Sequence, residues 1–169
     1  MRAAAAALRL GPPEEGSILS VHRPGRPGHE WPAHAALIAF AANRLAALGA
    51  TRVFADIPHH RPPATLAGLG AYPNARPDAT GRLPDQRLVI VEVETCGSID
   101  DPHTTDQWRL FRARADAGGA VFVLVVPARC GEREGPALAQ ARAEALGIHF
   151  DEIWTPQQGE PHGSHAHSH

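Results

Sequence analysis

The sequence predicts an α/β fold: a mixed sheet flanked by helices, with an αβββαβ core and an additional C-terminal αβ unit. Three observations carry this. Residues 120–126 (AVFVLVV) form a continuous apolar run, as expected of a strand covered on both faces. Residues 33–48 and 136–146 have helical periodicity and stop at Gly49 and Gly147. Two β-rich stretches flank a turn signal at residues 81–86. At 169 residues, 43% of them hydrophobic, the chain can build one real core.

In chain order, residues 1–30 read as a flexible lead-in. They are broken by Gly11-Pro12-Pro13 and by Arg23-Pro24-Gly25-Arg26-Pro27-Gly28, with a short strand expected at 17–21. A single domain is expected over 31–154. Its first helix carries Leu37, Ile38, Ala41, Leu45 and Leu48 on one stripe. A strand follows at 51–57 (TRVFADI), and 58–74, with four prolines and two glycines, is loop. Residues 76–80 and 87–95 pair as a hairpin. The next helix has Asp101 at its N-cap, Pro102 at its first position and a stripe of Trp108, Phe111 and Ala115, ending at Gly118-Gly119. After strand 120–126, the helix 136–146 turns Leu138, Ala141 and Ala145 inward and leads to a last strand at 148–154. Strands joined by helices should be parallel through right-handed crossovers, while the first three meander. Residues 155–169 read as a flexible His-rich tail, able to chelate nickel, cobalt or zinc weakly.

Composition excludes much. The 16 Lys+Arg residues are all Arg. Without lysine the chain has no Walker loop, no pyridoxal Schiff base, no protein-kinase site and no phospho-receiver site. A net charge of -2 gives no strong basic field. Cys96 and Cys130 follow strands at the same end of the sheet, which makes them candidate neighbours, but reduced thiols in a cytoplasmic protein are expected. No apolar run reaches the ~20 residues of a membrane helix, so no membrane partner is expected.

The chemistry concentrates in Pro77-Asp78 and Glu92-Val93-Glu94. Glu92 and Glu94 lie two apart on a strand and share one face. A turn centred near Asp85 sets Asp78 opposite Glu92. Opposed side chains on one face have Cβ atoms ~4.5–5.5 Å apart, so three carboxylates are expected to converge. Like charges at that range resist ionising together. Mg²⁺ or Mn²⁺ relieves the conflict, because both take carboxylate oxygens and can polarise a phosphoryl oxygen. The plainer alternative is a solvated strand face. The apolar strand around the glutamates argues against it.

The order αβββαβ, with Pro-Asp on the second strand and Glu-x-Glu ending the third, resembles the PD-(D/E)XK nuclease-like (restriction endonuclease-like) superfamily over residues 33–127. More narrowly, EVETCGSID, HTTDQW and VFVLVVP resemble a bacterial branch with a Glu-x-Glu variant of the second motif. The resemblance implies Asp78 and Glu92 as metal ligands. It places Glu94, where lysine is usual, as a third ligand that orients or deprotonates the water. Gln107-Trp108-Arg109-Leu110-Phe111 is similar to the Gln-x-x-x-Tyr motif of the RecB-like branch, with Phe for Tyr. It implies a Mg²⁺- or Mn²⁺-dependent nuclease with catalytic Asp78, Glu92, Glu94 and Gln107, acting on nucleic acid, DNA in preference to RNA, with a homodimer left open. The alternative is a catalytically inactive nuclease-like binding or scaffolding protein.

Around this core, Arg76, Gln107 and Arg109 are candidate substrate contacts to phosphate or base edges. Arg82, Arg87, Arg112 and Arg114 hold a phosphate backbone if grouped and serve solubility if scattered. Trp108 and Phe111 are expected in the core rather than stacked on bases. Thr95 reads as a turn residue, His59 and His60 as loop residues, and His34 and His103 as structural or exposed.

Overall fold

The computed structural model describes residues 31–157. Helix α1 (Trp31–Ala47) buries Leu37, Ile38, Ala41 and Leu45, four of the five apolar positions expected to face inward. Leu48 lies beyond its end and is exposed. Gly49, at φ 78°, reverses the chain into strand β1 (Thr51–Ala55). The proline-rich segment 58–74 is loop, pinned by paired hydrogen bonds between Leu66 and Ala75 and between Leu69 and Tyr72. Strands β2 (Ala79–Arg82) and β3 (Leu88–Val93) form the expected hairpin.

Helix α2 (Pro102–Gly118) starts as its sequence requires: the Asp101 side chain accepts the His103 N–H at 2.8 Å and Pro102 occupies the first turn. Gly119, left-handed at φ 62°, ends it. Strand β4 (Val121–Val125) lies mid-sheet, buried on both faces. The two-residue strands β5 (Arg129–Cys130) and β6 (Arg133–Glu134) form a small separate ribbon that the sequence pattern does not announce. Helix α3 (Gly135–Leu146) then leads to β7 (Glu152–Trp154).

The main sheet runs β1-β2-β3-β4-β7, with the first two pairings antiparallel and the last two parallel. This is the mixed sheet and αβββαβ order of a restriction endonuclease-like core, with the extra αβ unit appended. Alternation along β3 divides the core. Val89, Val91 and Val93 join α1 on one face, while Ile90, with Phe122 and Leu124 of β4, meets α2 and α3 on the other.

Three expectations are corrected. The last strand starts at Glu152 rather than 148, because the Asp151 carboxylate turns inward to accept the Phe122 N–H at 2.7 Å. Helix α3 faces inward through Ala139 and Ala143, with Leu138 packed against the core as expected, whereas Ala141 and Ala145 are exposed. Small residues on that face let the backbone approach the sheet. The two cysteines are not reduced: Cys96 and Cys130 form a disulfide with a Cα–Cα separation of 5.5 Å, since adjacent strand ends bring them together. The strand expected at 17–21, the lead-in and residues 158–169 of the tail lie outside the described residues. Among the described residues, no helix is long and apolar enough to cross a membrane.

Two predictions arise from this packing. A Cβ on Gly135 would lie 1.8 Å from the Pro127 carbonyl oxygen. Gly135→Ala should therefore lower unfolding free energy by about 2 kcal/mol or more, as urea denaturation would read. The second concerns pH. Burial pushes the Asp151 carboxyl up, but the Phe122 N–H and the Arg112 guanidinium, 3.0 Å away, outweigh it and hold Asp151 below its ordinary 3.8. A carboxyl depressed on folding stabilises the protein above its unfolded pKa, and that contribution disappears as pH falls through the folded value. Urea midpoints should fall below about pH 4 more steeply in wild type than in Asp151→Asn. Parallel midpoint curves would contradict this.

Candidate functional site

The β2–β3 hairpin fixes the site. Its turn closes through Leu83 N–H to Arg87 C=O and Gln86 N–H to Leu83 C=O, both at 2.9 Å, with Gln86 left-handed at φ 72°. Ala79 pairs with Val91 and Arg82 with Leu88, which centres the hairpin on Asp85 as expected. Continued by one residue, that register sets Asp78 opposite Glu92.

Asp78 itself leaves the ladder. Its N–H donates to Val91 C=O at 3.1 Å, its C=O accepts from Asp56 N–H at 2.9 Å, and its Oδ2 accepts the Val93 N–H at 2.9 Å. The residue thus ties together the ends of β1, β2 and β3. The burial of Asp78, Glu92 and Glu94 is nearly total, at 1%, 0% and 0% exposure. A solvated strand face does not describe them.

Two neighbours escape the sequence reading. His34 of α1 is 2% exposed, and its Nε2 lies 3.3 Å from Asp78 Oδ2 and 3.2 Å from Val93 C=O. With two acceptors before it, Nε2 carries the hydrogen. The readable signal is spacing: His34 precedes Leu37, Ile38 and Ala41 on the buried stripe of α1. The second is Ser98. Its hydroxyl donates to Glu94 Oε2 and accepts the Thr95 N–H at 2.9 Å. Its carbonyl accepts from Thr104 Oγ1 at 2.9 Å and Asp101 N–H at 3.1 Å. The turn 95–98 therefore couples Glu94 to the start of α2, with Thr95 as the turn residue expected.

Of the substrate candidates, Gln107 and Arg76 come together and Arg109 stays apart. Gln107, 6% exposed, and Arg76 line a cleft of about 270 Å³ with Asp56, Asn74, His103 and Asp106. Arg76 lies 3.9 Å from the Asp56 carboxylate. Arg109 is half-buried on α2 and does not line this cleft. The remaining arginines are scattered. Arg87 pairs with Asp85, Arg112 with Asp116 and Asp151, and Arg114 donates to the carbonyls of Ala67 and Gly68. Trp108 and Phe111 are fully buried in the core, so neither stacks on a base. His59 and His60 are exposed loop residues.

Among the described residues, no group of three or more His, Cys, Asp and Glu side chains is arranged to hold a metal ion. The donor chemistry at the strand ends nevertheless fits a hard divalent cation. Mg²⁺ is commonly held by only one or two carboxylates and keeps several waters. Asp78 and Glu92, both buried near the ends of β2 and β3, are carboxylates of that ligand type.

No protein-family model matches the chain, and no curated protein matches it. Among solved structures, a complex of EndoMS with double-stranded DNA is similar over 59% of this chain and 37% of that one, at 13% identity and a TM-score of 0.31. Likeness at that score says nothing of this chain's activity.

Proposed function

We propose that this protein is a Mg²⁺- or Mn²⁺-dependent nuclease that hydrolyses phosphodiester bonds, DNA in preference to RNA. The observation that carries the reading is the burial of three carboxylates, Asp78, Glu92 and Glu94, where β2 and β3 of a restriction endonuclease-like core come together. Carboxylate oxygens are the ligand type that such a cation takes. Asp78 and Glu92 would hold the ion, which when bound polarises the phosphoryl oxygen and acidifies its water.

The chain's own residues do the rest. The Val93 N–H and His34 fix the Asp78 carboxylate. Ser98 fixes Glu94, which replaces the usual lysine in orienting or deprotonating the attacking water. Gln107, with Arg76 at the cleft, positions substrate. The test is incubation with Mn²⁺ and single- or double-stranded DNA or RNA. Cleavage of DNA is expected, and failure to cut any of the four overturns the reading.

A second reading, a non-catalytic nuclease-like binding module, is favoured by one observation: the chain has no lysine at all, so the usual water-activating residue is missing. Nucleic-acid binding with neither Mn²⁺ binding nor cleavage would establish it.

A further inference from the structure

The cleft beside the carboxylates has the wrong charge for a phosphate. Its lining includes two carboxylates, Asp56 and Asp106, against one guanidinium, Arg76, which already lies 3.9 Å from Asp56. The other polar groups are neutral hydrogen-bonding ones, from Thr65, Asn74 and Gln107, together with the imidazole of His103. Gln107 is the informative residue. It is 6% exposed, faces this cleft, and its side-chain amide makes no hydrogen bond to any described residue. A primary amide opening onto a cleft is matched by a partner that both accepts and donates, side by side. The edge of a nucleobase offers that pair; Gln or Asn binding two atoms of adenine is the familiar case. Carboxylates at the rim suit exocyclic amino groups, as Asp and Glu accept from cytosine N4. At about 270 Å³ the cleft is slightly below the range of small-ligand sites, with room for one unstacked base and none for a duplex.

We infer that this cleft is a base subsite that takes one unstacked, amino-bearing nucleobase against Gln107, so that the strand presented to Asp78 and Glu92 is single-stranded or locally opened. The inference rests on the proposed nuclease reading but is tested without metal or cleavage. The full chain, ¹⁵N-labelled, is titrated with adenosine, uridine and ribose 5-phosphate. Adenosine should shift the Gln107 side-chain NH₂ signal and the backbone amides of Ala75 and His103. Uridine should do so more weakly, and ribose 5-phosphate should not. Gln107→Ala should weaken adenosine binding about tenfold or more. Gln107→Glu, which keeps the volume but loses the donor, should alter the preference among nucleosides, and the amide spectrum itself verifies the fold of both variants.

No response to millimolar adenosine, an equal response to ribose 5-phosphate, or indifference to both substitutions overturns the subsite. A protein that binds adenosine at Gln107 but never cleaves keeps the subsite and loses the nuclease reading. One that cleaves strands with an abasic position as well as intact ones loses the subsite and keeps the nuclease reading.

Discussion

Asp78→Asn and Glu92→Gln should each lower Mn²⁺-dependent cleavage by at least about a thousandfold while leaving the fold intact. The magnitude follows from removing charge beside the proposed ion, whose stabilisation of the transition state would be worth several kcal/mol. Both substitutions preserve shape. Asn at 78 retains an oxygen for the Val93 N–H, so the bond that joins β2 to β3 survives. Far-ultraviolet circular dichroism and the thermal midpoint should therefore stay close to wild type. Equal cleavage by variant and wild type would remove these carboxylates from the chemistry. Loss of the folded signal would show that they act as structural groups instead.

The second large effect belongs to the disulfide. Cys96 lies two residues beyond Glu94, inside the turn that brings Ser98 to the carboxylate, and Cys130 lies on the β5–β6 ribbon 34 residues on. Closing a loop of that length restricts the unfolded chain by about 3–4 kcal/mol. The Cys96→Ser, Cys130→Ser double variant should unfold at a midpoint lower by on the order of 10 °C. Wild type treated with a dithiol should match it. Identical midpoints in oxidised and reduced protein would show that the bridge contributes nothing to stability.

The fold was legible wherever local chemistry and tertiary packing agree. The Asp101-Pro102 cap, the left-handed Gly119 and Gly147 stops, and the apolar strand over Val121–Val125 are local signals that packing reinforces. The hairpin register could be read because the turn at Asp85 fixes every pairing above it. The β5–β6 ribbon could not, since two-residue strands have no periodicity to detect. The state of the cysteines also lay out of reach. Their strand positions show proximity, but not that the two side chains meet. At the site, the register up to Ala79 and Val91 was readable, whereas the reach of Asp78 toward Val93 and His34 depends on the strand leaving its ladder one residue early. Gln107 and Arg76 meet across a cleft because loop 58–74 folds beside α2, which no spacing in the sequence encodes.

Isothermal calorimetry with Mg²⁺ tests the central claim most directly, because an oxygen-seeking ion discriminates against the histidines of the tail. Wild type should bind Mg²⁺ saturably, and Asp78→Asn and Glu92→Gln should each abolish that binding. Absence of Mg²⁺ binding by the wild type, or undiminished binding by both variants, would contradict the account.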